Sequence, residues 1–69
     1  MNKEQIENRK MEIGHAAFQA RDYEKAHDLE DELHVDFIQW IMLGNTENIA
    51  ELATEVLETL SWDFPRWMA

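Results

Sequence analysis

Apolar side chains recur along this chain at intervals of three and four residues, the spacing that places them on one face of an α-helix. Good helix formers fill the positions between them, and the only glycine and proline residues are Gly14, Gly44 and Pro65. The pattern predicts an all-α fold with three helices and a C-terminal tail, at about residues 3–19, 22–43, 46–60 and 61–69. We expect one helical domain over residues 1–69.

The apolar side of the first predicted helix consists of Ile6, Met11, Ile13, Ala17 and Phe18. Gly14 lies in the middle of this helix, where a glycine costs about 1 kcal/mol relative to alanine. We interpret it as a point where another backbone approaches closely. Asp22 is the predicted N-cap of the second helix, because its carboxylate can accept hydrogen bonds from the free amides of the first turn.

The second predicted helix has two apolar strips. The main strip is Ala26, Leu29, Leu33, Phe37, Trp40 and Ile41, and the C-terminal half adds Val35, Ile38 and Met42. A helix that is apolar nearly all round is buried on more than one side. Because a small three-helix monomer offers little to cover both sides, we expect a homodimer paired along this helix. The predicted pairing residues are Phe37, Ile38, Trp40 and Ile41.

The third predicted helix follows the turn LGNTE. Gly44 is expected to cap the preceding helix in the left-handed conformation, and Asn45 or Thr46 is expected to cap the next one. The core-facing positions of the third helix are Ile49, Leu52, Ala53, Val56, Leu57 and Leu60. The short connection predicts that the second and third helices form an antiparallel hairpin, beside a shorter N-terminal helix.

The tail SWDFPRWMA concentrates aromatic residues, namely Trp62, Phe64 and Trp67, around a proline that prevents helical continuation. Aromatic side chains bury large areas and often anchor interfaces. We expect the tail to fold back over the hairpin or across a dimer partner, because small cores need such closure. The alternative is that the tail binds another protein.

Composition restricts the function further. The chain of 69 residues has 15 acidic and 6 basic residues, a net charge of −9, and no cysteine. Disulfides and thiolate zinc sites are thereby excluded, and the negative charge disfavours direct binding to nucleic acids or anionic membranes. The sequence contains no apolar run of membrane-spanning length, and its polar start does not resemble a signal peptide. We therefore expect a cytoplasmic protein.

One group of residues has the spacing of a metal site. His27, Asp31 and His34 lie on one side of the second helix, with Glu30 nearby. Glu30, Asp31 and His34 belong to the acidic stretch DLEDELHVD, and His27 directly precedes it. We interpret this stretch as a solvated helix face, because charged groups are rarely buried unpaired. No catalytic motif accompanies them, and we predict no enzymatic activity, metal or cofactor. An alternative role for the acids is to imitate a nucleic-acid backbone and inhibit a nucleic-acid-binding protein.

Two resemblances add to this interpretation. The stretch IGHAAFQARDYEKA, residues 13–26, resembles one helix–turn–helix of a tetratricopeptide repeat, with Gly14 at the small position and Tyr23 at the aromatic one. Arg21 stands where that motif has its turn glycine, Glu30 replaces a large aromatic, and the closing proline is absent. Since the match occurs once and repeat folds need about three copies, it implies local helix pairing only.

The stretch from MEIGHAAFQARDYEKAHDLEDELHVDFIQWIM through GNTENIAELATEVLE resembles the small helical proteins of lambda-like phages encoded between the recombination and excisionase genes. That resemblance implies an early accessory protein that acts on host physiology or lytic development through protein contacts. We thus expect a non-enzymatic interaction module with a host protein as its partner.

Overall fold

The computed structural model describes residues 1–66, and it confirms the all-α prediction, with three helices and no strand among those residues. The helices are α1 (Lys3–Gly14), α2 (Tyr23–Met42) and α3 (Ile49–Leu57). A π-helical turn, His15–Gln19, extends α1, and a 3₁₀ turn, Glu58–Ser61, extends α3.

Local hydrogen bonds define both ends of α1. Asn2 and Gln5 form a capping box, each accepting a hydrogen bond from the other's backbone amide through its side chain, at 2.8 and 2.9 Å. At the other end, the amide of Asp22 donates to the carbonyl of Ala16 at 2.8 Å, and Arg21 adopts the left-handed conformation with φ +53°. The chain therefore turns at residues 20–22, and α1 and α2 are separate helices.

The next connection differs from the prediction. Gly44 has φ +96°, in the left-handed region as expected, but α3 begins at Ile49, and its N-cap position is taken by Asn48 without a side-chain hydrogen bond. The prediction that Asn45 or Thr46 caps this helix is wrong. The Asn45 side chain instead donates to the carbonyl of Trp40 at 2.8 Å, because the last carbonyls of α2 lack helical partners.

Ion pairs show how the helices run. Arg9 contacts Asp36 at 3.0 Å, and the two residues lie at similar distances from the 20–22 turn, so α1 and α2 are antiparallel. Lys3 contacts Glu51 at 3.9 Å and Lys10 contacts Glu55 at 2.9 Å, so α3 runs parallel to α1. Hence α2 and α3 form the predicted antiparallel hairpin, with α1 against both.

The core lies between the three helices and the tail and consists of Ile6, Ile13, Ala16, Ala17, Ala26, Leu33, Phe37, Leu52, Val56 and Phe64. Several side chains that the sequence pattern assigned to the apolar sides are at least half exposed, namely Met11, Phe18, Val35, Ile38, Met42, Leu57 and Leu60. Three helices cover only one face of each helix, which leaves these residues outside the core.

Candidate protein-interaction surface

An apolar groove runs between α2 and α3 on the side away from α1. It has a volume of about 220 Å³ and is lined by His34, Phe37, Ile38, Ile41, Ala53, Val56 and Leu57. Two antiparallel helices without a third element above them leave such a groove along their line of contact. Because six of its seven lining residues are apolar, it can accept an apolar side chain but offers little to orient a polar substrate.

Exposed apolar residues continue the groove along both helices. Ile38 is 59% exposed and Met42 is 78% exposed on α2, while Leu57 and Leu60 are each about half exposed on or next to α3. The helical intervals of three and four residues place these side chains next to one another. We call the groove and these neighbours, together with Val35, the α2–α3 apolar surface. Contiguous exposed apolar patches mark interaction sites more often than scattered ones do.

The structure brings together three of the four residues predicted to pair. Ile38 and Ile41 line the groove, and Phe37 lies beneath them as a buried side chain. Trp40 does not join them. Its ring stacks on Phe37 with centroids 5.8 Å apart, and it lines a different cleft near the N-terminus of α1.

The two described tail aromatics pack against the end of α1. Phe64 is buried and meets the ring of Phe18 edge-on at 6.0 Å between centroids, and Trp62 lies 6.1 Å from the same ring. Trp62 also covers Gly14, so this glycine faces an indole ring and not the backbone we expected. The tail thus closes the core of its own chain through residue 66. Trp67, the third predicted tail residue, lies outside the described residues.

A buried ion pair between Glu30 and Arg66 connects this tail to α2. Glu30, expected on a solvated face, is only 2% exposed, and its carboxylate accepts hydrogen bonds from Arg66 Nε at 2.8 Å and Nη2 at 3.2 Å. The guanidinium also lies 3.8 Å above the centre of the Phe64 ring and donates to the carbonyl of Thr59. Burial is the largest single influence on the pKa of Glu30 and would raise it, but the hydrogen bonds and positive charge of Arg66, together with smaller contributions from neighbouring groups, outweigh burial and hold that pKa below its ordinary value.

A second buried charge lies between α1 and α3. Lys10 is 5% exposed, and its Nζ contacts carboxylates of Glu55 and Glu58 at 2.9 Å and of Glu7 at 3.3 Å. Burial would lower the pKa of Lys10, but these three carboxylates raise it above the ordinary lysine value. The hydrogen bond from Lys10 in turn lowers the pKa of Glu55.

Neither buried charge was predicted from the sequence, although the helical spacing contains the signal. Lys10 lies between Ile6 and Ile13 at intervals of four and three, and Glu30 lies in the same way between Ala26 and Leu33. Each charge therefore occupies a core position of its helix.

Two members of the histidine group, His27 and Asp31, contact each other across one turn of α2. His27 Nε2 lies 3.1 Å from Asp31 Oδ2, whereas His34 lines the apolar groove. Over residues 1–66, no three His, Asp or Glu side chains are arranged to hold a metal ion. In the same part of the chain, no helix combines the length and apolar character needed to cross a bilayer.

Comparison with known proteins identifies no relative: no family model matches this chain, and no curated protein and no solved structure is significantly similar to it.

Proposed function

We propose that this protein is a non-enzymatic interaction module that binds another protein through its α2–α3 apolar surface. The observation that carries the proposal is the groove itself, an apolar depression flanked by half-exposed Ile38 and Leu57 in a protein whose core is already closed by its own tail. Complete burial of a large apolar side chain contributes about 1.5–3 kcal/mol. Covering several of these residues together therefore provides a substantial driving force for association.

The identity of the partner rests on different grounds. The resemblance to accessory proteins of lambda-like phages is the basis for expecting a host protein as the partner, in which case the expected cytoplasmic location is the cytoplasm of the host. The homodimer predicted from the sequence would use the same surface, because Ile38 and Ile41 line the groove. The two partners therefore compete for one site, and the test must separate them.

The test is an affinity capture from bacterial lysate, performed with the wild type and two substitutions. Ile38→Asp places a charge in the groove, whereas Met11→Asp introduces the same charge at an apolar residue of α1 that is somewhat more exposed. We expect the wild type and Met11→Asp to retain a partner at about 0.5 M salt, because apolar contacts are not screened by salt. The Ile38→Asp variant should lose the same partner. Retention of every partner by Ile38→Asp would overturn the proposal. Sedimentation of the three proteins at several concentrations measures self-association separately.

A second candidate function is inhibition of a nucleic-acid-binding protein by charge mimicry. Glu24, Asp28 and Asp31 favour it, because all three are accessible and lie in line along the first half of α2. A complex of this kind would weaken steeply with salt and would be insensitive to Ile38→Asp. The same capture experiment at about 0.05 M salt distinguishes the two functions.

A further inference from the structure

The outer side of α2 carries one continuous line of residues at intervals of four and three. These six residues are Glu24, Asp28, Asp31, Val35, Ile38 and Met42. Intervals of four and three place these six side chains on one face of the helix, so a partner helix lying lengthwise against α2 would contact all of them. We call this line the α2 seam. Its first three positions are acidic and its last three are apolar.

One apolar residue of the seam, Ile38, lines a formed depression. Ile38 belongs to the groove between α2 and α3, where Ile41 and Leu57 complete the walls, and Val35 and Met42 flank it one turn away on each side. A partner side chain opposite Ile38 would enter this groove. The acidic half has no corresponding depression among the described residues, so its contribution to binding is electrostatic.

A second copy of this chain fits the seam poorly. In a parallel arrangement in register, the three acidic positions of one α2 would face those of the other, and like charges in contact are strongly unfavourable. In an antiparallel arrangement, acidic positions would face apolar ones over the whole length. Each chain also carries a net charge of −9, which adds to the repulsion between copies. A copy could overlap only near Ile38.

We infer that the occupant of the α2 seam is an amphipathic helix of another protein, with apolar residues at one end of its seam and Lys or Arg at the other. Such a helix pairs its apolar residues with Val35, Ile38 and Met42. Its basic residues meet Glu24, Asp28 and Asp31. This inference rests on the proposed function and adds the chemical class of the partner to it. Charge complementarity along the seam then determines specificity and the rate of association more than affinity.

The test uses synthetic helical peptides of about three heptads. Both peptides of the first pair carry Leu at three successive seam positions and Lys at the other three. They differ in whether the Leu residues lie in the N-terminal or the C-terminal half, because the seam admits a parallel or an antiparallel partner. The matched control pair has Glu in place of Lys. Binding to the full-length protein is measured by fluorescence anisotropy of labelled peptide at about 0.05 and 0.5 M salt. The protein variants are Ile38→Asp and the double substitution Asp28→Lys with Asp31→Lys.

We expect one Lys peptide to bind the wild type at least about tenfold more tightly than its Glu counterpart at low salt, with the difference shrinking at high salt. The double substitution should invert this preference, and Ile38→Asp should weaken both peptides. Circular dichroism checks folding. If the double substitution unfolds the protein, Asp28→Asn with Asp31→Asn replaces it, and the preference should then shrink without inverting, because only Glu24 of the three acidic residues remains.

Two results would overturn the inference. If the Lys and Glu peptides bind with equal affinity and Ile38→Asp abolishes the binding of both, the partner is not selected for basic residues. The proposed function would still stand in that case. Binding of none of the peptides, together with a wild-type dimer that Ile38→Asp dissociates, would assign the surface to a second copy.

Discussion

Arg66 donates two hydrogen bonds to the buried carboxylate of Glu30, from Nε at 2.8 Å and from Nη2 at 3.2 Å, across 36 positions of sequence. The contact joins the tail to the middle of α2. It holds Phe64 against the end of α1, because the guanidinium lies directly over that ring. One ion pair thus couples closure of the core to the placement of the tail.

Arg66→Ala is expected to destabilise the protein by roughly 1.5–3 kcal/mol, because it leaves the Glu30 carboxylate buried without its charged donor. Urea denaturation followed by circular dichroism measures the change. Arg9→Ala is the matched control, since Arg9 forms a more exposed pair with Asp36, and it should cost about 0.2–1 kcal/mol. Equal effects of the two substitutions would contradict a structural role for the Glu30–Arg66 pair.

The stability of the protein should fall in acid. The pKa values of Glu30 and Glu55 are lower in the folded protein than their ordinary value of 4.5. As the pH drops below that value, the unfolded chain takes up protons first, so the stabilisation is lost as the pH falls through the folded pKa values. Urea midpoints between about pH 6 and 3 should decrease, and Glu30→Gln should reduce the slope. An unchanged slope would mean that other carboxylates dominate.

Stability should also fall in strong alkali because of Lys10. Its pKa is raised in the folded protein, so its contribution is complete below the ordinary lysine value and is lost as the pH rises above it. The free energy of unfolding should therefore decline above about pH 10. Lys3→Met, at an exposed ion pair, should leave this decline intact. Lys10→Met should make the decline in the free energy of unfolding at high pH less steep, because the contribution of Lys10 is then absent.

Gly14→Ala should stabilise the protein by about 0.5–1 kcal/mol, since the residue has ordinary helical dihedral angles and alanine favours the helix. An added Cβ would lie 3.6 Å from the ring of Trp62, which is normal contact. Thermal denaturation measures the gain. Destabilisation accompanied by a shift in tryptophan fluorescence would indicate that the indole has no room for the methyl group.

Arg21→Gly should be more stable than Arg21→Ala by about 1 kcal/mol, because Arg21 has φ +53° and only glycine adopts the left-handed conformation without a steric cost. Comparing these two variants removes the effect of the lost side chain. Urea denaturation of both gives the difference. Equal stability would mean that the turn relaxes out of the left-handed region when the side chain is removed.

The helices and most of their core-facing positions were determined by the sequence alone. Helix formation depends on intervals of three and four and on local capping, and the predicted N-cap Asp22 does accept a hydrogen bond from the amide of Lys25 at 3.1 Å. The position of Gly44 in the left-handed region was predictable for the same reason. These are interactions between residues close in sequence, which the spacing of residues encodes directly.

Only the tertiary structure decided which apolar strips are covered and which charges are buried. Leu33 and Ile38 both belong to apolar strips of the second helix in the sequence, but the packing of the helices buries Leu33 and leaves Ile38 exposed. Lys10 and Glu30 occupy core positions because their partners, Glu55 and Arg66, arrive from 45 and 36 positions away. A buried charge is tolerated only where an opposite charge meets it, and that meeting depends on how whole helices pack against one another.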